Sequence, residues 1–366
     1  MTMPVTPSAM AGARQTGNNT KTTILSVDLG RTATKASISR DPNQVVLVPA
    51  NLAERPVEQI RGTDFEPRPT NPLLDMWLEH QGRGYAVGHL AADLGANLGV
   101  GQSKLEDALV KVLACVGYFD VKDDVSVVLG LPFHTQQQFD QEKEQLINLL
   151  TSPHVMSYRG ETVSINVQKV WVMPEGYGSL IWCEAQEDTG KKASVPRFSD
   201  APVAIVDIGH QTTDFLMVDS FRFARGISKS EAFAMSQFYE QVAAQMEGAD
   251  SESLSLLEAV NRPHGERFFR PRGVTKPINL DDFLPNLREQ FARDISNRLV
   301  EWLPERVTDV ILTGGGGEFF WSDIQRLLKE AKLTSHLAQP SRQANVLGQY
   351  IYGEAQSVST NRSAKS

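Results

Sequence analysis

Short runs of alternating apolar and polar residues give way to helical spacing along this chain, and the whole pattern occurs twice. "TILSVDL" (Thr23–Leu29) predicts a buried strand that turns at Gly30. "TKASISR" predicts a returning strand, and "QVVLVPA" a third after the Asp41–Pro42–Asn43 turn. In "SKLEDALVKVLACVGYF" the residues Leu105, Leu109, Val112, Leu113 and Val116 share one face, which predicts a helix with Ser103 as N-cap. "VSVVLGLP" reads as a buried strand stopped by Pro132, and "TVSINVQKVWVMPEG" as a long strand ending at Pro174. Then the polar stretch from Glu187 to Asp200, with its Gly and Pro, separates two apolar segments as a boundary loop. Beyond it "PVAIVDIG", "TTDFLMVD" and "FRFARG" repeat the three-strand beginning. "VTDVILTGGGGEFF" runs a buried strand into four glycines, and "ANVLGQYIYGEA" closes the ordered part as a helix.

Strands alternating with helices make this an α/β chain. Its 366 residues suit two domains or one two-lobed body with a cleft. The polar residues 1–22 and 356–366 read as disordered tails, 187–200 as the inter-lobe loop, 23–186 as lobe I and 201–341 as lobe II. A formal net charge of −8 argues against a broad basic face for nucleic acid, so no direct nucleic-acid binding is expected. No apolar run reaches the roughly 18–20 residues of a transmembrane segment, and the N-terminus lacks the apolar core of a secretory signal. Cys115 and Cys183 sit in apolar helical patterns without metal-ligand spacing, as buried thiols of a reducing compartment do; the expected location is cytoplasmic.

The duplicated turns are "VDLGRTATK" (Val27–Lys35) and "VDIGHQTTD" (Val206–Asp214). Gly30 and Gly209 free the backbone to expose its N–H groups, and Thr32, Thr34, Thr212 and Thr213 add hydroxyls, a combination suited to phosphate oxygens. Asp28 and Asp207 repel phosphate but suit a hydrated Mg²⁺ held through water. Lys35 supplies a cation; Asp214, in the matching place, does not. Taken alone, a D-x-G turn is also an ordinary tight hairpin, and Gly314–Gly317 also an ordinary strand–helix link. The P-loop pattern G-x-x-x-x-G-K-[ST] is absent from the sequence.

In order and separation, "VDLGRTATK", "MPEGYG", "VDIGHQTTD", "TGGGGE" and "ANVLG" resemble the five nucleotide-site segments of the actin, chaperone and sugar-kinase superfamily. The chain is most similar to bacterial actins of the plasmid-segregating ParM type, over roughly Ile24 to Gly353. That resemblance implies an actin-like two-lobed fold of duplicated ribonuclease-H-like domains, with Mg²⁺ and ATP (or GTP) in the cleft and lobe I completed by a C-terminal helix, 342–355. By the matching motifs, Asp28, Gly30, Arg31, Thr32, Thr34 and Lys35 would form one phosphate segment. Asp207, Gly209, His210, Gln211 and Thr212 would form the other, and Gly314, Gly315, Gly316 and Gly317 would pass the adenosine. Glu175, in "MPEG", matches the family's water-positioning residue and would serve catalysis with Asp207. His210 departs from the glycine common at its position, which implies a stiffer loop.

The resemblance further implies an ATPase that forms a helical filament with itself, disassembles after hydrolysis, and reaches DNA or membrane through a small adaptor protein. Plasmid segregation and a cell-shape cytoskeleton are both open. A small-molecule kinase would need a further base and substrate domains, and a chaperone a peptide-binding domain; the chain suggests neither. A membrane-tethered scaffold would need a terminal amphipathic helix, and neither tail reads as one. The basic loop "RPHGERFFRPRG" (Arg262–Gly273) reads as a solvated loop or polymer contact rather than a nucleic-acid site.

Overall fold

The computed structural model describes residues 22–61, 69–98, 104–187 and 198–363. All but the last residue of the expected N-terminal tail, most of the boundary loop and Ser103 lie outside these. Lobe I begins with β1 (Thr23–Leu29), β2 (Ala33–Ser37), β3 (Val46–Pro49) and β4 (Leu52–Arg55). The short α1 (Val57–Ile60), β5 (Met76–His80), β6 (Arg83–Val87) and α2 (His89–Asp93) follow. It continues through α3 (Lys104–Tyr118), β7 (Asp123–Leu131), α4 (Gln136–Leu150), β8 (Pro153–Tyr158), β9 (Glu161–Pro174) and α5 (Tyr177–Glu187). Lobe II contains β10 (Pro202–Ile208), β11 (Thr213–Asp219), β12 (Arg222–Phe223), β13 (Lys229–Glu231), α6 (Met235–Ala243) and α7 (Leu254–Asn261). After the small hairpin β14 (Phe268–Phe269) and β15 (Ile278–Asn279) come α8 (Leu284–Trp302), β16 (Asp309–Thr313), α9 (Gly314–Phe319), α10 (Trp321–Glu330) and β17 (Thr334–Leu337). The last helix is α11 (Ala344–Ser363).

The two main sheets share a pattern. One runs β3-β2-β1-β7-β9 before continuing into β8-β5-β6-β4; the other runs β12-β11-β10-β16-β17, with β13 also on β11. In both, the first two pairings are antiparallel and the next two parallel. The duplicated hairpin thus seeds the same half-sheet twice, in a mixed α/β, two-lobed fold. Strand alternation then sorts the cores. Val203 and Ile205 of β10 join the large cluster around α5 and α11, whereas Ala204, Val206 and Ile208 face a second cluster with α6, α8 and α10. In that second cluster the Phe291 ring stacks on Phe233 at 4.4 Å and on Phe320 at 5.3 Å. Losing a ring from so filled a core costs about 3–5 kcal/mol. Phe319 and Phe320 follow the glycine run after one residue, Glu318, so this packing anchors the glycines.

Several expectations change. "FRFARG" yields only the two paired residues of β12, because Ser228 Oγ accepts the Met217 N–H where a continuing strand would have bonded it. The chain returns as β13 beside the cleft end of β11. Strands β4 to β6 extend the first sheet unforeseen; the β5–β6 turn uses positive φ at Gln81 (53°) and Gly82 (75°), the mirror-type turn that matches strand twist. Helix α11 packs on α5, β1 and β7, and runs on to Ser363, past the point where polar composition predicted a tail. Helix α3 is buried around most of its second half, while Leu105 and Leu109 are only half-buried. Cys115 is buried and its thiol pushed up to about 12 by burial; Cys183 is half-buried.

Candidate functional site

Parallel pairing brings the carboxyl ends of β1, β7 and β9 in one lobe opposite those of β10 and β16 in the other. Strand ends of open α/β sheets are where ligands collect. Between them lies a cleft of ≈ 700 Å³ lined by residues of both lobes, within the range of small-molecule sites. From the first turn Asp28, Gly30, Arg31, Thr32 and Lys35 line it, and from the second Asp207, Gly209, His210, Gln211 and Thr212. Glu175, Gly314, Gly315 and Gly316 complete the predicted set that converges here.

Thr34 and Gly317 do not line the cleft. Because side chains alternate along a strand, Lys35 on the cleft face puts Thr34 on the other, where it is 2% exposed with Oγ1 unbonded among the described residues. Thr213, its counterpart, is likewise buried and donates to the Phe233 carbonyl at 2.6 Å. Gly317 is buried in α9 against Leu312.

Glycine at position 30 is required by close approach rather than by unusual dihedrals. A Cβ there would stand 2.4 Å from the Ala33 carbonyl oxygen, where the chain closes the turn with Gly30 N–H donating to Asp28 O. Gly314 is different: its φ is +82°, and a Cβ would meet Asp207 Oδ1 at 2.3 Å. The register of β10 on β16 places Asp207 beside Thr313, so the glycine run crosses directly over that carboxylate.

The hairpins set their charged residues as cross-strand partners, Asp28 opposite Lys35 and Asp207 opposite Asp214. Lys35 Nζ donates to Asp28 Oδ2 at 2.6 Å. Burial lowers the Lys35 ammonium, but Asp28, with Asp207 and Glu175 behind it, more than reverses this and leaves it raised. Asp207 has no such partner among the described residues: burial, then Asp28 and Glu175, push it up to about 7. Asp214 is 2% exposed, and burial with Glu175 and Asp207 holds it well above the usual carboxylate range. Thr212 Oγ1 donates to its Oδ2 at 3.2 Å, while Oδ1 is buried without a partner among the described residues.

Glu175 follows β9, its N–H donating to Leu131 O at 2.8 Å, and its carboxylate forms an ion pair with Lys104 at the start of α3. Burial raises Glu175, and Lys104 opposes the rise. Arg31 is lowered by burial against the pull of Glu175, Asp107 and Glu142. His210 is half-buried and pushed down to about 4 by burial, so it is neutral near pH 7. Its ring lies 5.9 Å from that of Tyr239, whose hydroxyl accepts from Asn261 Nδ2 at 3.0 Å.

The Asp207 and Asp214 carboxyls, which have no cation paired with them among the described residues, stand beside the Asp28 carboxylate in a set that fits Mg²⁺, which takes one or two carboxylates and fills its shell with water and phosphate. Among the described residues no group of three or more Asp, Glu, His or Cys is placed to chelate a metal directly.

This architecture has counterparts. Residues 26–178 match the profile of the actin-like protein N-terminal domain, and residues 205–326 that of the archaeal actin homologue MreB-like C-terminal domain. The chain belongs to the actin-like proteins. The actin-like protein Alp7A superposes with TM-score 0.74 at 16% identity, over 93% of this chain and 98% of that one. The archaeal actin homologue Ta0583, solved in complex with ADP, gives TM-score 0.68 at 16% identity, covering 91% and 99%. A subunit of a 15-stranded ParM filament from Clostridium botulinum gives 0.68 at 18%, also covering 91% and 99%. At such identities the likeness is one of fold. No curated protein matches the chain in sequence.

Against this actin-like frame, the cleft holds residues that sequence reasoning missed. Lys104 carried no signal beyond its place at a helix start. Tyr239, Asn261 and Arg342 come from three separate elements, with Arg342 Nη2 donating to Asn261 Oδ1 at 3.4 Å. Asp214 was visible as the residue replacing lysine, and its pairing with Asp207 was implicit in the hairpin register.

Proposed function

We propose that this actin-like protein binds a magnesium-bound nucleoside triphosphate, ATP or GTP, in the cleft, hydrolyses it, and assembles with itself into filaments that come apart after hydrolysis. The observation that carries the reading is the convergence of two mirrored hairpins, one per lobe, on one cleft with Asp28 and Asp207 facing across it. Gly30, Thr32, Gly209 and Thr212 would present turn amides and hydroxyls to the phosphate chain, and Lys35 its ammonium. The wall formed by Tyr239, Asn261 and Gly314–Gly316 suits the nucleoside. Bound Mg²⁺, held through water by Asp28 and Asp207, would neutralise phosphate oxygens. Glu175 would orient the attacking water, fixed in place by Lys104.

Support also comes from two structural neighbours, one bearing ADP and one taken from a filament. Contacts closing the cleft on nucleotide would make subunit surfaces compatible with head-to-tail assembly. The setting we propose is the cytoplasm, with a small adaptor linking the filament to DNA or membrane; no helix among the described residues is long and apolar enough to cross a membrane.

Calorimetry with Mg²⁺ and ATP or GTP tests the cleft, and sedimentation with triphosphate, diphosphate or no nucleotide tests assembly. Heat of binding and triphosphate-dependent pelleting are expected. A folded protein that takes up neither nucleotide refutes the reading, and one that stays monomeric at tens of micromolar refutes the filament. Glu175→Ala should slow phosphate release by about 100-fold or more while leaving assembly intact.

A further inference from the structure

Side chains from distant parts of the chain meet over Gly130, one residue before the end of β7. A Cβ at Gly130 would lie 2.8 Å from Gln349 Nε2, 3.2 Å from Glu175 Cγ and 3.7 Å from Asn345 Nδ2. Only a glycine at position 130 leaves room for the Gln349 amide and Glu175 to close over it. Gln349 is 0% exposed, and neither Oε1 nor Nε2 has a hydrogen-bond partner among the described residues. Asn345, one helical turn earlier, is also buried, with Oδ1 unpartnered. The helix cannot draw these amides back. A Cβ at Gly348 would stand 1.7 Å from the Gly178 carbonyl oxygen, so α11 is seated directly on α5.

A buried amide with no partner is costly, and leucine would fill the same volume without that cost. Packing therefore does not explain glutamine at position 349; a hydrogen-bonding task does. A small polar space with several unpaired donors and acceptors is what holds a buried water. Glu175 is the charged acceptor at its edge, already gripped by Lys104.

We propose that Gln349 is a positioning residue for Glu175: with Asn345 it holds a buried water that hydrogen-bonds the carboxylate, so that α11 and α3 fix Glu175 from two sides. This rests on the reading of Glu175 as the group that orients the attacking water.

Steady-state phosphate release with Mg-ATP, nucleotide affinity and thermal melting, measured on Gln349→Leu, Glu175→Ala and the double variant of the full chain, test it. In Gln349→Leu, kcat should fall roughly 10- to 100-fold with KM and nucleotide Kd unchanged. Its melting temperature should stay within a few degrees, because leucine fills the volume that the glutamine leaves. In the Glu175→Ala background the same substitution should change kcat no further. Wild-type kcat in Gln349→Leu, or an equal loss in both backgrounds, overturns the proposal. So does a lower melting temperature accompanied by weaker nucleotide binding, the mark of a structural role. Should the leucine variant not fold, Gln349→Met, which keeps the length of the side chain and removes the amide, is read the same way; a wild-type rate there overturns the proposal. Glu175→Ala at the wild-type rate overturns the reading of Glu175 as well, whereas a slow Glu175→Ala beside a normal Gln349→Leu overturns the positioning role alone.

Discussion

The hairpins of lobe I and lobe II have the same strand–turn–strand backbone and opposite electrostatics. In the first, Lys35 lies across from Asp28 and the pair neutralises itself. In the second, Asp214 lies across from Asp207, and both carboxyls are raised, Asp207 by burial with Asp28 and Glu175, Asp214 by burial with Glu175 and Asp207. The first hairpin balances its charge within itself; the second holds two carboxyls that burial shifts toward their protonated form. The duplication thus produces two half-sites of one backbone and unequal charge, an asymmetry that a symmetric pair would lack.

The largest effect should come from breaking the neutral half. Lys35→Met leaves Asp28 buried and uncompensated, and urea unfolding of the nucleotide-free protein should show a loss of about 3 kcal/mol. The turns themselves differ next. A Cβ at Gly30 meets the Ala33 carbonyl at 2.4 Å, whereas one at Gly209 meets the Thr212 carbonyl at 3.0 Å. Gly30→Ala should cost about 2 kcal/mol and Gly209→Ala about 1 kcal/mol, from the strain of overpacking; equal urea midpoints would show that the turns yield alike. Asp214→Asn should move the other way, stabilising the nucleotide-free protein by about 1 kcal/mol at pH 8, since one buried charge is gone. A destabilised Asp214→Asn protein would mean that the charge is satisfied already.

The smallest effect concerns pH. His210 is held neutral, with its value pushed down to about 4 against an ordinary 6.5 or so. A group whose folded value is depressed in this way takes its proton more readily when unfolded, so its contribution is intact above about pH 6.5 and is lost as pH falls toward 4. Between pH 7.5 and 5, melting of the nucleotide-free protein should therefore drop more for the wild type than for His210→Gln. The carboxylates common to both chains cancel in that difference, and parallel pH curves would remove His210 as the cause.

Much of this was legible before any coordinates. The bounds of β1 are the residues of the first apolar run, and the "VDLG" and "VDIG" turns marked both hairpins because period-two alternation followed by Gly is a local signal. The limits of that reading are local as well. Thr34 counted as a phosphate ligand by type, yet its strand phase turns it inward. The third strand of lobe II failed because the Ser228 hydroxyl, eleven residues from Met217, intervened. Strands β5 and β6 hid behind the "QG" turn at Gln81–Gly82, whose left-handed dihedrals composition does not display.

By itself the sequence determined the repeated half-sheet, the turn glycines and the carboxylates that edge the cleft, since each depends on neighbours within a few residues. Only the tertiary structure decided which polar groups meet: Lys104 with Glu175, Asn261 with Tyr239 and Arg342, and the buried Gln349 beneath Gly130. Those meetings follow from parallel strands and crossing helices whose register is set by packing across the whole chain, and periodicity along the chain carries no record of that.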